Sequence, residues 1–275
     1  MATNNTNNAR FSALAPAGAW LWGWLVETLR AHFSTSAAVA EQGCGAIHNL
    51  AANNPENSTR LGAAGACEVV VEALRAHYST SAAVAEQGCR AISNLTYNNP
   101  ENSARLDAAG ACEVVVQALR AHCSTSAAVT EWGCRAIANL TYNNPENKTR
   151  LGAAGACEVV VQVFRAHYST NAAVAEWGCE AILNLAGSNP ENKTRLGTAG
   201  ACEVVVQALR AHGFTNAAVA EQACRAIYSL AYNNPTNKAV LVSLRARALL
   251  AAVREAPALP EAVRSEAQVA LSMLI

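Results

Sequence analysis

The stretches "EQGCRAISNLTYNN", Glu86 to Asn99, and "EWGCRAIANLTYNN", Glu131 to Asn144, agree except at Gln87/Trp132 and Ser93/Ala138. They belong to a longer copy. "AGACEVVV" begins at Ala64, Ala109, Ala154 and Ala199, a constant step of 45 residues (109 − 64). A period of this size marks a solenoid, in which each unit is one supersecondary element stacked on the next. The 275 residues therefore read as one continuous array. Residues 1–53 form a partial capping unit, 54–234 the regular repeats and 235–275 a degenerate C-terminal cap.

Composition points to an all-α chain: 52% hydrophobic residues, many of them alanine, with 15% charged and 5% aromatic. Alanine is the strongest helix former. Twenty basic residues balance twenty acidic ones, which argues against nucleic acid, whose phosphates demand clustered Lys and Arg. The apolar run "ALAPAGAWLWGWLV", Ala13 to Val26, is shorter than the ~20 residues of a spanning helix and has only Arg10 as a positive flank. No membrane span is expected.

Eight of the ten cysteines recur in step: Cys67, Cys112, Cys157, Cys202 and Cys89, Cys134, Cys179, Cys224. Cys44 heads the second series and Cys123 stands alone. Set among Ala, Val and Ile, they read as small buried hydrophobes. No CxxC or Cys/His cluster calls for a metal, and no cofactor is implied. Reduced thiols point to a cytoplasmic or nuclear setting.

One period can be parsed from Asn144. Pro145 suits a helix first turn and Gly155 ends a short first helix. A second helix starts near Ala156 and closes with Arg165 and His167, which suit the negative helix end, as do His32, His77, His122 and His212 in theirs. Ser169, Thr170 or Asn171 caps a third helix, "AAVAEWGCEAILNLA".

The pattern "N..N...L..AG....VV..L..H" followed by "V.E.GC.AI.NLA" resembles the armadillo-repeat family, with its importin-α- and β-catenin-like members, from Asn53 to Asn234. The resemblance implies a right-handed superhelical α-solenoid of three-helix repeats whose third helices line a concave groove. It also implies a row of asparagines, Asn49, Asn94, Asn139 and Asn184, holding an extended peptide by its backbone, with Ser229 breaking the row. Importin-like members place Trp four residues before that Asn; this chain has Gly45, Arg90, Arg135 and Glu180 there, with Trp132 and Trp177 a turn earlier.

On a helical wheel at about 100° per residue, with Gln87 at zero, Arg90 falls near about −60°, Ser93 near about −120°, Asn94 near about −20° and Tyr97 near about −80°. Val84, Gly88, Ala91, Ile92 and Leu95 lie opposite. The copies vary on the first side, so it is expected to be free of the core and to carry specificity, with Gln87, Trp132, Trp177, Tyr97 and Tyr142 as contacts. Glu86/Arg90, Glu131/Arg135 and Glu221/Arg225 form i,i+4 pairs. Glu176 and Glu180 break the rule as like charges one turn apart, beside Trp177. Either Arg135 or Arg225 of a neighbouring unit neutralises Glu180, or the spot receives a Lys or Arg of a partner.

No catalytic constellation, phosphate-cradling loop or paired carboxylates in a pocket stands out, and a small-molecule ligand is not favoured. The sequons at Asn57, Asn94, Asn139, Asn147 and Asn192 read as by-products of the repeat. The chain reads as a non-enzymatic scaffold for an extended partner segment, a basic one if the Glu176/Glu180 spot is a receiving site. Two alternatives stay open. One is a structural subunit docking through Trp20, Trp22 and Trp24, whose other reading is as a cover for the open core edge; the other is an engineered or recently amplified array without an evolved ligand.

Overall fold

The computed structural model describes residues 18–275, with side chains from residue 21 onward. Trp20's side chain and residues 4–17 of the partial first unit lie outside the described residues. All regular structure among the described residues is α-helical. The chain divides into two compact units, ending at Val114 and beginning at Val115.

The first unit holds α1 (Gly18–His32), α2 (Ala37–Ala51), α3 (Pro55–Ala63), α4 (Ala66–His77), α5 (Ala82–Thr96) and α6 (Pro100–Ala109), and the boundary falls inside α7 (Ala111–Ala121). The second holds α8 (Ala127–Thr141), α9 (Pro145–Ala154), α10 (Ala156–His167), α11 (Ala172–Ala186), α12 (Pro190–Ala199), α13 (Ala201–His212), α14 (Ala217–Ala231), α15 (Pro235–Ser243), α16 (Ala246–Glu255) and α17 (Glu261–Leu274). A repeat is a short helix and two longer ones. Third helices stack side by side: α2 on α5 in the first unit, and α8 on α11, α11 on α14 and α14 on α17 in the second.

Local chemistry explains the boundaries. In "NNP" the first asparagine takes a left-handed turn, as at Asn143 (φ 50°). The second caps the short helix: Asn144 Oδ1 accepts from Asn147 N–H at 3.0 Å, and Pro145 occupies the first turn. Ser81, Ser126 and Asn171 cap third helices in the same way, at 3.1–3.2 Å. Such a cap contributes about 1 kcal/mol. Gly65, Gly110, Gly155 and Gly200 sit between first and second helices at φ 87–94°, a region that costs a side chain but not glycine. In the terminal layer Arg245 takes this place at φ 59°. Arg247, at the Cys202 position, donates to the Leu274 carbonyl at 2.7 Å.

The core lies between layers, where Val159, Val160, Val161, Phe164, Ile182 and Leu185 are buried. Polar ties cross it. Asn192, buried, donates through Nδ2 to Lys148 O at 2.8 Å and Leu185 O at 3.3 Å; Asn102 does so to Ser58 O at 2.9 Å and Leu95 O at 3.0 Å. The approach is so close that a Cβ on Gly152 would lie 1.9 Å from Asn192 Oδ1.

Arg75 stays constant among the copies although exposed, because its Nη2 donates to the Ala109 carbonyl of the next layer at 2.9 Å; Arg210 reaches Leu244 O in the same way at 2.6 Å. The repeat histidines close second helices as expected and do more. His77 donates from Nε2 to Phe33 O, and His212 to Tyr168 O, both at 2.6 Å.

All ten cysteines are free thiols, and all but Cys123 are buried. Burial pushes Cys44 and Cys134 up to about 12. Asn57, Asn147 and Asn192 of the sequons are buried as well.

Candidate functional site

The third helices carry the residues singled out in the sequence. In the first unit Glu86 and Arg90 of α5 pair at 2.8 Å. Asn94 donates through Nδ2 to His48 Nδ1 at 2.7 Å and to His48 O at 3.2 Å on α2. Its amide is thus tied to the preceding layer, a role that the bare "NL" pattern does not announce. Asn49 is exposed, and Gln87 lies beside Gly45, whose added Cβ would meet Gln87 Oε1 at 3.4 Å. Tyr97, at the end of α5, is 60% exposed.

The second unit keeps the backbone plan and changes the chemistry. Arg135 of α8 lies with its guanidinium carbon 4.9 Å from the centre of the Trp132 ring and 4.5 Å from that of Trp177 on α11. Glu176 and Glu180, also on α11, are half-buried. Burial holds the Glu176 carboxyl above its usual range, opposed by Arg135 and assisted by Glu131 and Glu221. Glu180 is raised too, first by burial and then by Glu176, while Arg225 and Arg135 pull the other way. Arg225 forms its ion pair with Glu221, at 3.8 Å.

The asparagine position again ties layers. Asn184 Nδ2 donates to Ala138 O at 3.1 Å, and Ser229, which breaks the row, donates to Leu183 O at 3.4 Å. Asn139 is half-buried on α8. At the C-terminal ends, Tyr142 is 63% exposed and Tyr232 stacks on Tyr228 with ring centres 5.8 Å apart. Gly187 takes the tyrosine place on α11. There Lys148 donates to the Gly187 carbonyl at 2.9 Å, and Lys193 to that of Tyr232 at 2.6 Å. Burial lowers the pKa of both lysines. Sequence reasoning missed these clamps; the signal was the change from Ser58 and Ser103 to Lys148 and Lys193.

One expectation needs correcting. Ser93 and Ala138 are fully buried rather than on the free side. The wheel describes one helix, whereas here the flank at about −120° meets the neighbouring layer, and variation at these places is variation in packing.

Of the N-terminal tryptophans, Trp22 is 4% and Trp24 60% exposed. Among the described residues no group of three or more His, Cys, Asp or Glu could hold a metal, and no helix is long and apolar enough to cross a membrane.

No family model matches the chain, and no curated protein matches it. Solved structures do. An engineered protein determined by a structural genomics consortium is 25% identical, with a TM-score of 0.77 over 92% of this chain and 96% of that one. A designed armadillo repeat protein is 26% identical, with a TM-score of 0.75 over 92% and 99%. Another, solved in complex with the peptide (KR)4, is 26% identical, with a TM-score of 0.74 over the same shares. With the three-helix units above, these place the chain in the armadillo-type repeat fold, an α-solenoid. Such a repeat scaffold can bind peptides.

Proposed function

We propose that this chain is a non-enzymatic scaffold that binds an extended, basic peptide along the face formed by its third helices. The observation that carries the reading is the Glu176/Glu180 pair: two carboxylates one turn apart, half-buried beside Trp177, both with pKa values raised first by burial, Glu180 further by the charge of Glu176 and Glu176 by those of Glu131 and Glu221. A cation arriving there relieves that repulsion, and carboxylate attraction adds to the pull of an indole face. The face of α8, α11 and α14 carries four carboxylates, Glu131, Glu176, Glu180 and Glu221, against Arg135 and Arg225. Gln222 adds a buried Oε1 without a hydrogen-bond partner among the described residues.

An extended strand advances about 3.3 Å per residue and helix layers stand about 8–10 Å apart, so each layer meets every second or third peptide residue. In the second unit Asn139 and Asn184 face that backbone, Asn184 with whatever amide capacity its tie to the Ala138 carbonyl leaves. The test is titration with (KR)4 against an alternating Asp/Glu octapeptide. Preference for the basic peptide, weakening as salt rises, supports the reading; equal binding of both, or no salt dependence, sinks it.

A second reading, docking through the N-terminal end, is supported by the exposure of Trp24. A partner lost on Trp24→Ser and kept on Glu180→Arg would favour it.

A further inference from the structure

Arg135 is the cation already present on the proposed binding face. We infer that Arg135 is an internal plug, filling with its own guanidinium the slot between Trp132 and Trp177 that a partner's cationic side chain would otherwise enter, and so limiting affinity for a basic peptide. The inference rests on the basic-peptide reading above.

Three observations carry it. The guanidinium lies 4.9 and 4.5 Å from the two ring centres, inside the ~6 Å reach of a cation–π contact on both sides. The equivalent arginines, Arg90 paired with Glu86 at 2.8 Å and Arg225 with Glu221 at 3.8 Å, each have a glutamine, Gln87 or Gln222, where Arg135 has Trp132. Finally, Arg135 opposes the rise in pKa of both Glu176 and Glu180. It therefore already supplies part of the positive charge that those carboxylates would take from a ligand. An incoming Lys or Arg meets a repelling charge and an occupied slot, and must displace the side chain or bind beside it.

Replacing Arg135 by Met keeps an apolar stem and removes the charge. The probe is (KR)4, titrated at low salt into the wild type, Arg135→Met, Glu180→Arg and Arg135→Met/Trp177→Gln. Arg135→Gln is a second version in case the Met variant melts early by circular dichroism. The expected result is about tenfold tighter binding in Arg135→Met, the scale of one added cation–π and ion-pair contact, with most of the gain lost in the double variant. Unchanged or weaker binding by both Arg135 variants overturns the plug. If the wild type binds and Glu180→Arg weakens it while Arg135→Met brings no gain, the plug falls and the peptide reading stands. If neither the wild type nor any variant binds (KR)4, both fall. Quenching of tryptophan emission by acrylamide, a neutral quencher, gives a ligand-free check: it should rise in Arg135→Met as the slot opens, and no rise contradicts the plug.

Discussion

The first unit's α2–α5 face and the second unit's α8–α11–α14 face are built on one repeat and do different chemistry. On α5 the arginine is paired in its own helix, Glu86 to Arg90 at 2.8 Å, and Asn94 is engaged by His48. On α8 and α11 two glutamine positions have become tryptophan, one arginine position has become Glu180, and Arg135 lies between the rings. Caps, glycine turns and the buried asparagine ties of Asn102 and Asn192 are the same in both. Copying therefore preserves what joins layers and leaves open what the third helices display.

The largest expected effect tests the shared part. Asn102→Ala in the first unit and Asn192→Ala in the second each remove a buried amide bonded to two carbonyls. Leaving those carbonyls unsatisfied should lower stability by about 2–4 kcal/mol in either unit. Urea denaturation measures it, and a cost confined to one unit breaks the claim of common construction. Next comes the displayed part. Glu180→Arg should weaken binding of (KR)4 by about tenfold or more, a loss of roughly 1.4 kcal/mol or above, while Glu86→Arg in the first unit costs less. Equal losses would erase the distinction between the faces.

A smaller effect is read through pH. The folded-state pKa of Glu180 is raised, so the folded chain holds this proton more tightly than the unfolded one. Stability from this group is fully present below the unfolded pKa and is lost as pH rises through the folded value. Melting temperature should thus fall between mildly acidic and neutral pH, and Glu180→Gln should flatten that slope. A slope unaltered by the substitution would remove Glu180 from the account. The smallest effect lies off both faces. Glu56→Gln breaks the exposed i,i+4 pair with Arg60 at 2.6 Å and should change stability by no more than about 0.5 kcal/mol, with peptide affinity unmoved.

Much of the fold was legible because its signals are local. "NNP" carries a left-handed asparagine, a capping asparagine and a first-turn proline in consecutive residues, and "AG" carries the turn between helices. The candidate site was legible as a list of residues and not as an arrangement. Ser93 looked free because a wheel omits the next layer. The spacing pairs Arg135 with Glu131 but does not reveal that its guanidinium also lies against Trp177, 42 positions on (177 − 135) and one layer away. The constancy of exposed Arg75 had no local reason, and its bond to the Ala109 carbonyl in the next layer supplies one.

The central claim is that the aromatic and acidic third-helix face of the second unit receives a basic peptide. Nitrogen-15 NMR of the tryptophan indole N–H groups tests it most directly, since the chain has five tryptophans and substitution can assign each signal. Adding (KR)4 should shift the Trp132 and Trp177 signals in a saturable way and leave those of Trp20, Trp22 and Trp24 in place. Shifts confined to the N-terminal tryptophans, or none at all at millimolar peptide, would contradict the account.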